Sequence, residues 1–129
     1  MSPSAGNPLN LAIIGAGLVS DYHHVPGIRL DPRARVAAVC DTDETLLEKR
    51  KTDWGVEKVT TDPGEIFSDP GIDGVIIATP NFTHPALAID AARNGKHIMC
   101  EKPLGLNATE VAGMYEAAKT AGVVHMTAF

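Results

Sequence analysis

The stretch LNLAIIGAG, residues 9–17, decides the fold that this sequence predicts. Its first six residues form an apolar run of the length of one strand, and Gly15-Ala16-Gly17 ends that run. A strand with apolar residues at successive positions is buried on both faces, which is typical of a parallel sheet covered by helices. A glycine turn between such a strand and a helix is typical of a dinucleotide-binding site. The stretch therefore predicts an α/β fold with a nucleotide site after its first strand.

Strand-like and helix-like patterns alternate through the rest of the chain. Apolar or β-branched runs predict strands at residues 36–40, 74–79, 96–100 and 123–129, with a weaker candidate at 56–60. Helical spacing and end signals predict helices at 18–30, 43–54, 63–67, from 83 or 84 to 95, and 108–121. The alternation predicts a doubly wound parallel-sheet Rossmann dinucleotide-binding domain over residues 9–129.

The helical spacing also assigns the inward faces of three helices. The inward residues are expected to be Val19, Tyr22 and Val25 in the first helix, Leu46 and Leu47 in the second, and Val111, Met114, Tyr115 and Ala118 in the last. We expect Pro26-Gly27 to end or bend the first helix, because proline lacks an amide hydrogen. Asn107 and Glu110 are spaced as a capping box for the last helix.

Composition narrows the class of protein. The chain has 129 residues, 44% of them hydrophobic, and a net charge of −5, which indicates one globular domain and argues against a nucleic-acid partner. Residues 1–8 are small and polar, and we expect them to be a flexible segment rather than a secretion signal. No apolar run reaches the length of a membrane span. Cys40 and Cys100 lie within predicted strands as small apolar residues, so a cytoplasmic location is expected.

The glycine turn has the features that bind a pyrophosphate. Gly15 allows the tight turn, Gly17 lets the backbone approach the phosphates, and Leu18 opens a helix whose first amides can donate to them. Ser20 stands where the fingerprint has Gly or Ala, which is a small departure. The alternative is an ordinary glycine-containing turn between a strand and a helix.

Asp41 ends the second predicted strand, 26 residues after Gly15. A carboxylate at this point accepts hydrogen bonds from the ribose hydroxyls of a dinucleotide and repels a 2′-phosphate. Neither Thr42 nor Asp43 supplies a compensating positive charge, so the sequence favours NAD over NADP. Asp41 could instead cap the helix that follows, and the two roles are compatible.

Polar residues also follow the strand at 74–79. Thr79, Asn81 and His84 would border the nicotinamide half of the cofactor, although His84 could equally be a surface or capping residue. His23 and His24 are interpreted as partly exposed helix residues. No metal site is expected, because no carboxylate or thiol stands at ligand spacing from them.

Glu101-Lys102-Pro103 follows the strand at 96–100. Lys102 would project from the same edge of the sheet as the glycine turn, where it could exchange a proton with a reacting hydroxyl. Glu101 would orient the amine, and Pro103 would fix the direction of the chain. The alternative is a solvated Glu-Lys pair in a turn.

Together these motifs resemble the N-terminal half of the Gfo/Idh/MocA oxidoreductases, the family of glucose–fructose oxidoreductase and inositol dehydrogenase. The resemblance runs from the glycine turn through residues 78–84 to residues 95–103, and the Glu-Lys-Pro triplet is its specific element. It implies a hydride-transferring enzyme that uses NAD, or less readily NADP, on a sugar, polyol or related hydroxyl or carbonyl compound. A stand-alone module that senses NAD(H) is the alternative.

The resemblance also implies roles for single residues and for a part of the protein beyond Phe129. Lys102 would be the catalytic lysine, and the cofactor-side residues would be Gly15, Gly17, Leu18, Asp41, Thr79, Asn81, His84 and Glu101. Family members continue into a second α/β domain that carries most substrate contacts and the main oligomer interface. We therefore expect a homo-oligomer formed through a C-terminal substrate domain that this chain does not contain.

Overall fold

A computed structural model describes residues 6–129, so residues 1–5 of the expected flexible segment lie outside the described residues. Within that range the chain forms a six-stranded sheet, and every pair of neighbouring strands is parallel. The strands are β1 (Leu9–Ile14), β2 (Ala34–Cys40), β3 (Lys58–Thr60), β4 (Gly74–Ile77), β5 (His97–Glu101) and β6 (His125–Ala128). Their order, β3-β2-β1-β4-β5-β6, confirms the predicted doubly wound Rossmann fold.

Helices connect successive strands. A π-helical segment (Ser20–His24) runs directly into α1 (Val25–Arg29), and the others are α2 (Glu44–Trp54), α3 (Pro63–Phe67), α4 (His84–Arg93) and α5 (Ala108–Ala121). A single 3₁₀ turn, Asn81–Thr83, precedes α4. After β3 the chain crosses to the other side of β1, where β4 pairs with it in parallel. The carboxyl ends of β1 and β4 therefore form the topological switch point, where ligands bind in folds of this type.

Alternate residues of the strands enter two separate cores. On β1, Ile13 packs with Val39 and Leu47 on the face that carries α1 and α2. Its neighbours Ala12 and Ile14 belong to the larger core, which includes side chains of α3, α4 and α5. Burial on both faces explains why the strand sequences are apolar at successive positions rather than at every second one.

The inward face of the first helix differs from the prediction. Val25 is buried, but Val19 and Tyr22 are 46% and 67% exposed. The intervening segment is π-helical, with the Val25 amide bonded to the Ser20 carbonyl five residues earlier. The prediction assumed a period of 3.6 residues, and a wider turn moves these side chains off the core. Helix α1 also continues through Pro26-Gly27 to Arg29, since Pro26 lies at its start, where a missing amide hydrogen costs little.

The last helix confirms its cap and most of its inward stripe. Asn107 accepts a hydrogen bond from the Glu110 amide, but the Glu110 carboxylate accepts from the Leu106 amide rather than from Asn107 itself. Met114 and Ala118 are buried as predicted, and Val111 is partly buried. Tyr115 is 49% exposed, with its ring edge-to-face against His125, so its assignment to the inward stripe was wrong.

Strands β3, β4 and β6 are shorter than predicted, and β5 is displaced by one residue, to His97–Glu101. The Val56 amide bonds to the Lys51 carbonyl and so belongs to the end of α2 rather than to β3. The Lys96 amide bonds to the Ala91 carbonyl at the end of α4, so β5 begins at His97. The ends of β4 and β6 also fall inside the predicted ranges, at Ile77 and Ala128.

Candidate functional site

Gly15 is at the point where β1 turns toward the first helix. Its φ is +105°, a conformation that L side chains rarely adopt, and an added Cβ would lie 2.3 Å from the Ala78 carbonyl oxygen. The Gly15 amide continues the sheet by donating to the Cys40 carbonyl at 2.8 Å. Only glycine fits here, because the backbone of Ala78, directly after β4, occupies the space of a side chain.

Gly17 is a glycine for a different reason. A Cβ added at Gly17 would meet no other atom within 4 Å, so the protein itself does not require glycine there. Within the described residues the Gly17 amide has no hydrogen-bond partner, and the neighbouring Leu18 side chain is 63% exposed. The turn thus has an open side next to a free amide, which fits a phosphate group approaching the backbone.

Ser20 compensates for its departure from the glycine fingerprint. Its side chain is 1% exposed, and Oγ donates to the Gly15 carbonyl oxygen at 2.6 Å. A buried hydroxyl costs free energy unless it is hydrogen-bonded, and this one is bonded to the turn itself. The serine therefore braces the glycine turn across five residues.

Asp41 contacts the same turn from the end of β2. One carboxylate oxygen accepts from the Ala16 amide at 2.8 Å, and the other accepts from the Asp43 amide at 2.9 Å. The cap of α2 is Asp43, whose Oδ1 accepts from the Leu46 amide. The helix cap and the acid beside the turn are therefore separate residues, and Asp41 is partly exposed beside the glycine turn.

His84 joins two loops at the carboxyl edge of the sheet. Its side chain is completely buried; Nδ1 lies 2.8 Å from the Pro103 carbonyl oxygen and Nε2 lies 2.9 Å from that of Thr79. Both ring nitrogens thus face main-chain carbonyls. Thr79 is held further by a 2.5 Å contact between its hydroxyl and that of Thr83, whereas Asn81 is exposed.

Glu101 is the last residue of β5, and Lys102 follows it with an exposed side chain. The Lys102–Pro103 peptide bond is cis. Oε1 of Glu101 lies 2.8 Å from Nε2 of His24, which is buried and does not form an aligned hydrogen bond with it. His24 is a partly exposed helix residue, as predicted, although its side chain is only 9% exposed, and His23 is exposed.

The strand order brings the candidate residues into one row. Asp41, the glycine turn, Thr79 and Glu101 lie at the carboxyl ends of β2, β1, β4 and β5, which are consecutive in the sheet. Parallel strands are about 4.8 Å apart, so the row is about 14 Å long, with Asp41 near one end and Lys102 near the other. An extended ligand that reached both ends would cross the glycine turn.

The sequence analysis missed one residue that contacts the glycine turn. Arg50 of α2 is 4% exposed, and its Nε donates to the Ala16 carbonyl oxygen at 2.9 Å. The sequence did not indicate that Arg50 is buried, because a charged residue in an amphipathic helix is normally assigned to the solvent face.

Two structural findings bear on other kinds of site. Residues 6–129 contain no group of three or more His, Cys, Asp or Glu side chains arranged to bind a metal ion. In the same range, every helix is too short or too polar to cross a bilayer.

Known proteins share both the sequence and the fold. The family model described as an oxidoreductase family with an NAD-binding Rossmann fold matches residues 9–129. The chain is 39% identical over 118 residues to the scyllo-inositol 2-dehydrogenase (NAD(+)) of Bacillus subtilis, covering 92% of this chain and 34% of the relative. It is 36% identical over 121 residues to the myo-inositol 2-dehydrogenase of Thermotoga maritima, covering 94% and 36%.

A solved structure agrees with these sequence matches. The myo-inositol 2-dehydrogenase of Lactobacillus plantarum superposes with a TM-score of 0.87 at 31% identity, covering 95% of this chain and 36% of that one. The chain spans about a third of the length of the curated relatives it matches. Since the family model covers the whole strand and helix succession described above, the chain belongs to the Gfo/Idh/MocA oxidoreductases, and residues 9–129 are the NAD-binding Rossmann fold of that family.

Proposed function

We propose that the protein is an NAD-dependent oxidoreductase that acts on a hydroxyl group of a sugar, polyol or related compound, and that this domain binds its cofactor. The observation that carries the proposal is the row formed by Asp41, the glycine turn and Glu101-Lys102 at the ends of consecutive strands. Relatives named as inositol dehydrogenases support the substrate class.

The residues of the row fit the parts of a dinucleotide. The amides of Gly17 and Leu18 would donate to the pyrophosphate, since Gly17 faces open space and Gly15 keeps the turn tight. The Asp41 carboxylate uses one contact on each oxygen for the backbone, and each oxygen has a further lone pair for a ribose hydroxyl. Its negative charge disfavours the 2′-phosphate of NADP.

Lys102 would provide the acid–base chemistry at the other end of the row. When bound, the nicotinamide cofactor accepts or donates a hydride. Lys102 Nζ would then take up or return the proton of the reacting hydroxyl, and its exposure leaves it free to meet a substrate. Glu101 would orient the lysine and border the nicotinamide, together with Thr79 and Asn81.

His84 would contribute to cofactor binding through position rather than contact. Its ring is buried between the Thr79 and Pro103 carbonyls, so it has no nitrogen free for a ligand. It would hold the loop after β4 at a fixed distance from the Glu-Lys-Pro segment, and in this way align the two walls of the nicotinamide end.

We further propose that the complete protein has a C-terminal substrate domain and assembles through it as a homo-oligomer. The support is that the chain spans about a third of its curated relatives. A cytoplasmic location is part of the same proposal. Both cysteines are buried and unpaired, as is usual in a reducing compartment.

The test has two steps. The native polypeptide would be isolated from its own cells with an antibody to this segment, and its mass and its reduction of NAD with a panel of polyols would be measured. Replacing Lys102 with Met in that polypeptide should reduce kcat by at least a hundredfold and leave the Kd for NADH within about twofold. Unchanged turnover would remove Lys102 from the mechanism.

A native species of 13.6 kDa that binds NADH but oxidises no polyol would instead favour the stand-alone sensing module.

A further inference from the structure

We propose that Arg50 is a positioning residue for cofactor binding, which fixes the Ala16–Gly17 peptide so that the Gly17 N–H faces the phosphate site. This inference rests on the dinucleotide site of the proposed function, and it adds a residue that lies outside the glycine turn. Arg50 is on α2, 34 residues from Ala16, yet its guanidinium is in direct contact with that peptide.

Arg50 is hydrogen-bonded to the glycine turn. Nε of Arg50 donates to the Ala16 carbonyl oxygen at 2.9 Å, and the contact is buried. A hydrogen bond from a charged donor is stronger than one between neutral groups, and a buried one is not weakened by competing water. The Ala16 carbonyl is therefore held in one direction.

The Ala16–Gly17 peptide unit connects the carbonyl that Arg50 holds to the amide of Gly17. The only cis peptide bond in the described residues is Lys102–Pro103, so the Ala16–Gly17 peptide is trans. In a planar trans peptide the carbonyl and the amide hydrogen point in opposite directions. Because Arg50 holds the Ala16 oxygen on its own, buried side, the Gly17 hydrogen points away from the guanidinium. Gly17 itself has open space beside it, since an added Cβ would meet nothing within 4 Å.

The glycine turn needs a restraint from residues outside it. Gly17 has no side chain, and its backbone is intrinsically permissive. Asp41 accepts from the Ala16 amide at 2.8 Å and so holds the preceding peptide, while Arg50 holds the following one. An acid and a base on different elements thus fix both peptides that flank Ala16.

Arg50 is itself held on several sides. Its NH1 is 3.3 Å from Oδ2 of Asp21 and 4.0 Å from Oδ2 of Asp53, and its guanidinium lies 5.4 Å from the centroid of the Trp54 ring. Trp54 Nε1 in turn donates to Asp21 at 2.7 Å. The guanidinium is therefore held in one position, and its hydrogen bond fixes the orientation of the Ala16 carbonyl.

The test compares two charge removals on the same helix. Arg50→Met removes the guanidinium and keeps an extended apolar side chain, and Lys49→Met removes the adjacent positive charge, which is exposed and does not contact the turn. NADH and ADP-ribose would be titrated against the 129-residue chain. We expect R50M to raise both Kd values about tenfold, the equivalent of one charge-assisted hydrogen bond, and K49M to change them less than twofold.

A second readout does not depend on binding. In the ligand-free protein, the N–H residual dipolar coupling of Gly17 reports the orientation of the peptide, and it should change in R50M and stay unchanged in K49M. Should R50M fail to fold, Arg50→Lys replaces it, because lysine keeps the charge but has no Nε. R50K is expected to show the same altered coupling and a Kd raised at least threefold.

The two proposals fail in different ways. If the wild-type chain does not bind NADH, the cofactor part of the proposed function is wrong, and the Gly17 coupling still decides the role of Arg50. If a folded R50M or R50K has a wild-type Gly17 coupling and wild-type Kd values, with only its melting temperature lowered, Arg50 is a structural bridge between helices and the inference is overturned.

Discussion

At the scale of single residues, the two turn glycines show two different physical requirements. Gly15 is required by the fold, because its φ is positive and the Ala78 carbonyl occupies the place of a Cβ. Gly17 meets no such obstacle, so no contact within the described residues requires glycine there. We propose that the same fingerprint combines one position needed for stability with one that serves the cofactor, and mutation should separate them.

Gly15→Ala should destabilise the fold, and Gly17→Ala should not. In G15A the steric conflict and the left-handed backbone together should cost about 3 kcal/mol of unfolding free energy, measured by urea denaturation. G17A should unfold within about 0.5 kcal/mol of wild type but bind NADH at least tenfold more weakly, since its methyl group takes the space of the phosphate. A stable G15A, or a G17A that binds NADH normally, would contradict this division.

Asp41→Ser should relax the preference between cofactors. Loss of the carboxylate would remove the proposed hydrogen bonds to the ribose of NADH and the repulsion of the 2′-phosphate of NADPH, so the ratio of the two Kd values should change about tenfold or more. Asp43→Ser is the matched control, because it removes a neighbouring charge while serine still caps α2. If both variants shift the ratio equally, the shift comes from the loss of one negative charge in this region, and a direct contact between Asp41 and the ribose is contradicted.

At the scale of elements, helix ends were more predictable than helix faces. The ends are fixed by local chemistry: Asp43, Asp62 and Asn107 each accept a hydrogen bond from an amide of the helix that follows. The face of the first helix was mispredicted because a π-helical segment changes the period, and nothing in the local sequence encodes that segment. It lies beside the glycine turn, where Ser20 donates back to Gly15.

Asn107→Ala should remove the cap of α5 and lower the unfolding free energy by about 1 kcal/mol. The Asn107 side chain accepts from the Glu110 amide, and alanine leaves that amide without this partner. Thr109→Ala, an exposed change in the same turn, serves as the control and should stay within about 0.5 kcal/mol of wild type. Equal losses in both variants would show that the first turn, rather than the cap, determines the effect.

At the scale of the whole molecule, the two cores enclose groups that water does not reach. Cys40 and Cys100 are 3% and 1% exposed in the larger core, and burial raises the pKa of each thiol to about 12. Lys96 is also buried, with Nζ donating to the Asp69 and Ile72 carbonyls, and desolvation lowers its pKa. This lysine fixes the loop that leads into β4.

The buried thiols give the protein a specific response to alkaline pH. A thiol whose pKa is raised on folding stabilises the native state below its unfolded pKa, and that contribution is lost as the pH rises toward the folded value. The unfolding free energy should therefore fall between about pH 9 and pH 12, measured by urea denaturation. The C40A/C100A double variant should show a shallower fall, since its other titrating groups are the same. Parallel curves for the two proteins would refute the assignment.

The candidate site could be predicted as far as it depends on residues near strand ends. Gly15, Gly17, Asp41 and Lys102 could be predicted to lie at one edge of the sheet, because each follows an apolar run that predicts a strand and parallel strands bring their carboxyl ends together. His84 was placed correctly at the start of the helix after β4. Its burial was not foreseen, because the carbonyl of Pro103 that contacts it comes from the next strand connection. Arg50 was missed because the carbonyl that it contacts, that of Ala16, is 34 residues away in the sequence.

The sequence by itself determined the strand and helix succession, the glycine turn and the residues that cap the helices, because these depend on apolar periodicity and on hydrogen bonds between near neighbours. Only the tertiary structure decided which polar side chains are enclosed. Arg50 reaches Ala16 across 34 residues, and His24 reaches Glu101 from another element. Such contacts depend on how α2 and the π-helical segment pack against the sheet. Burial of a polar group costs free energy unless a hydrogen-bond partner satisfies it, and no local pattern in the chain specifies a partner that is distant in sequence.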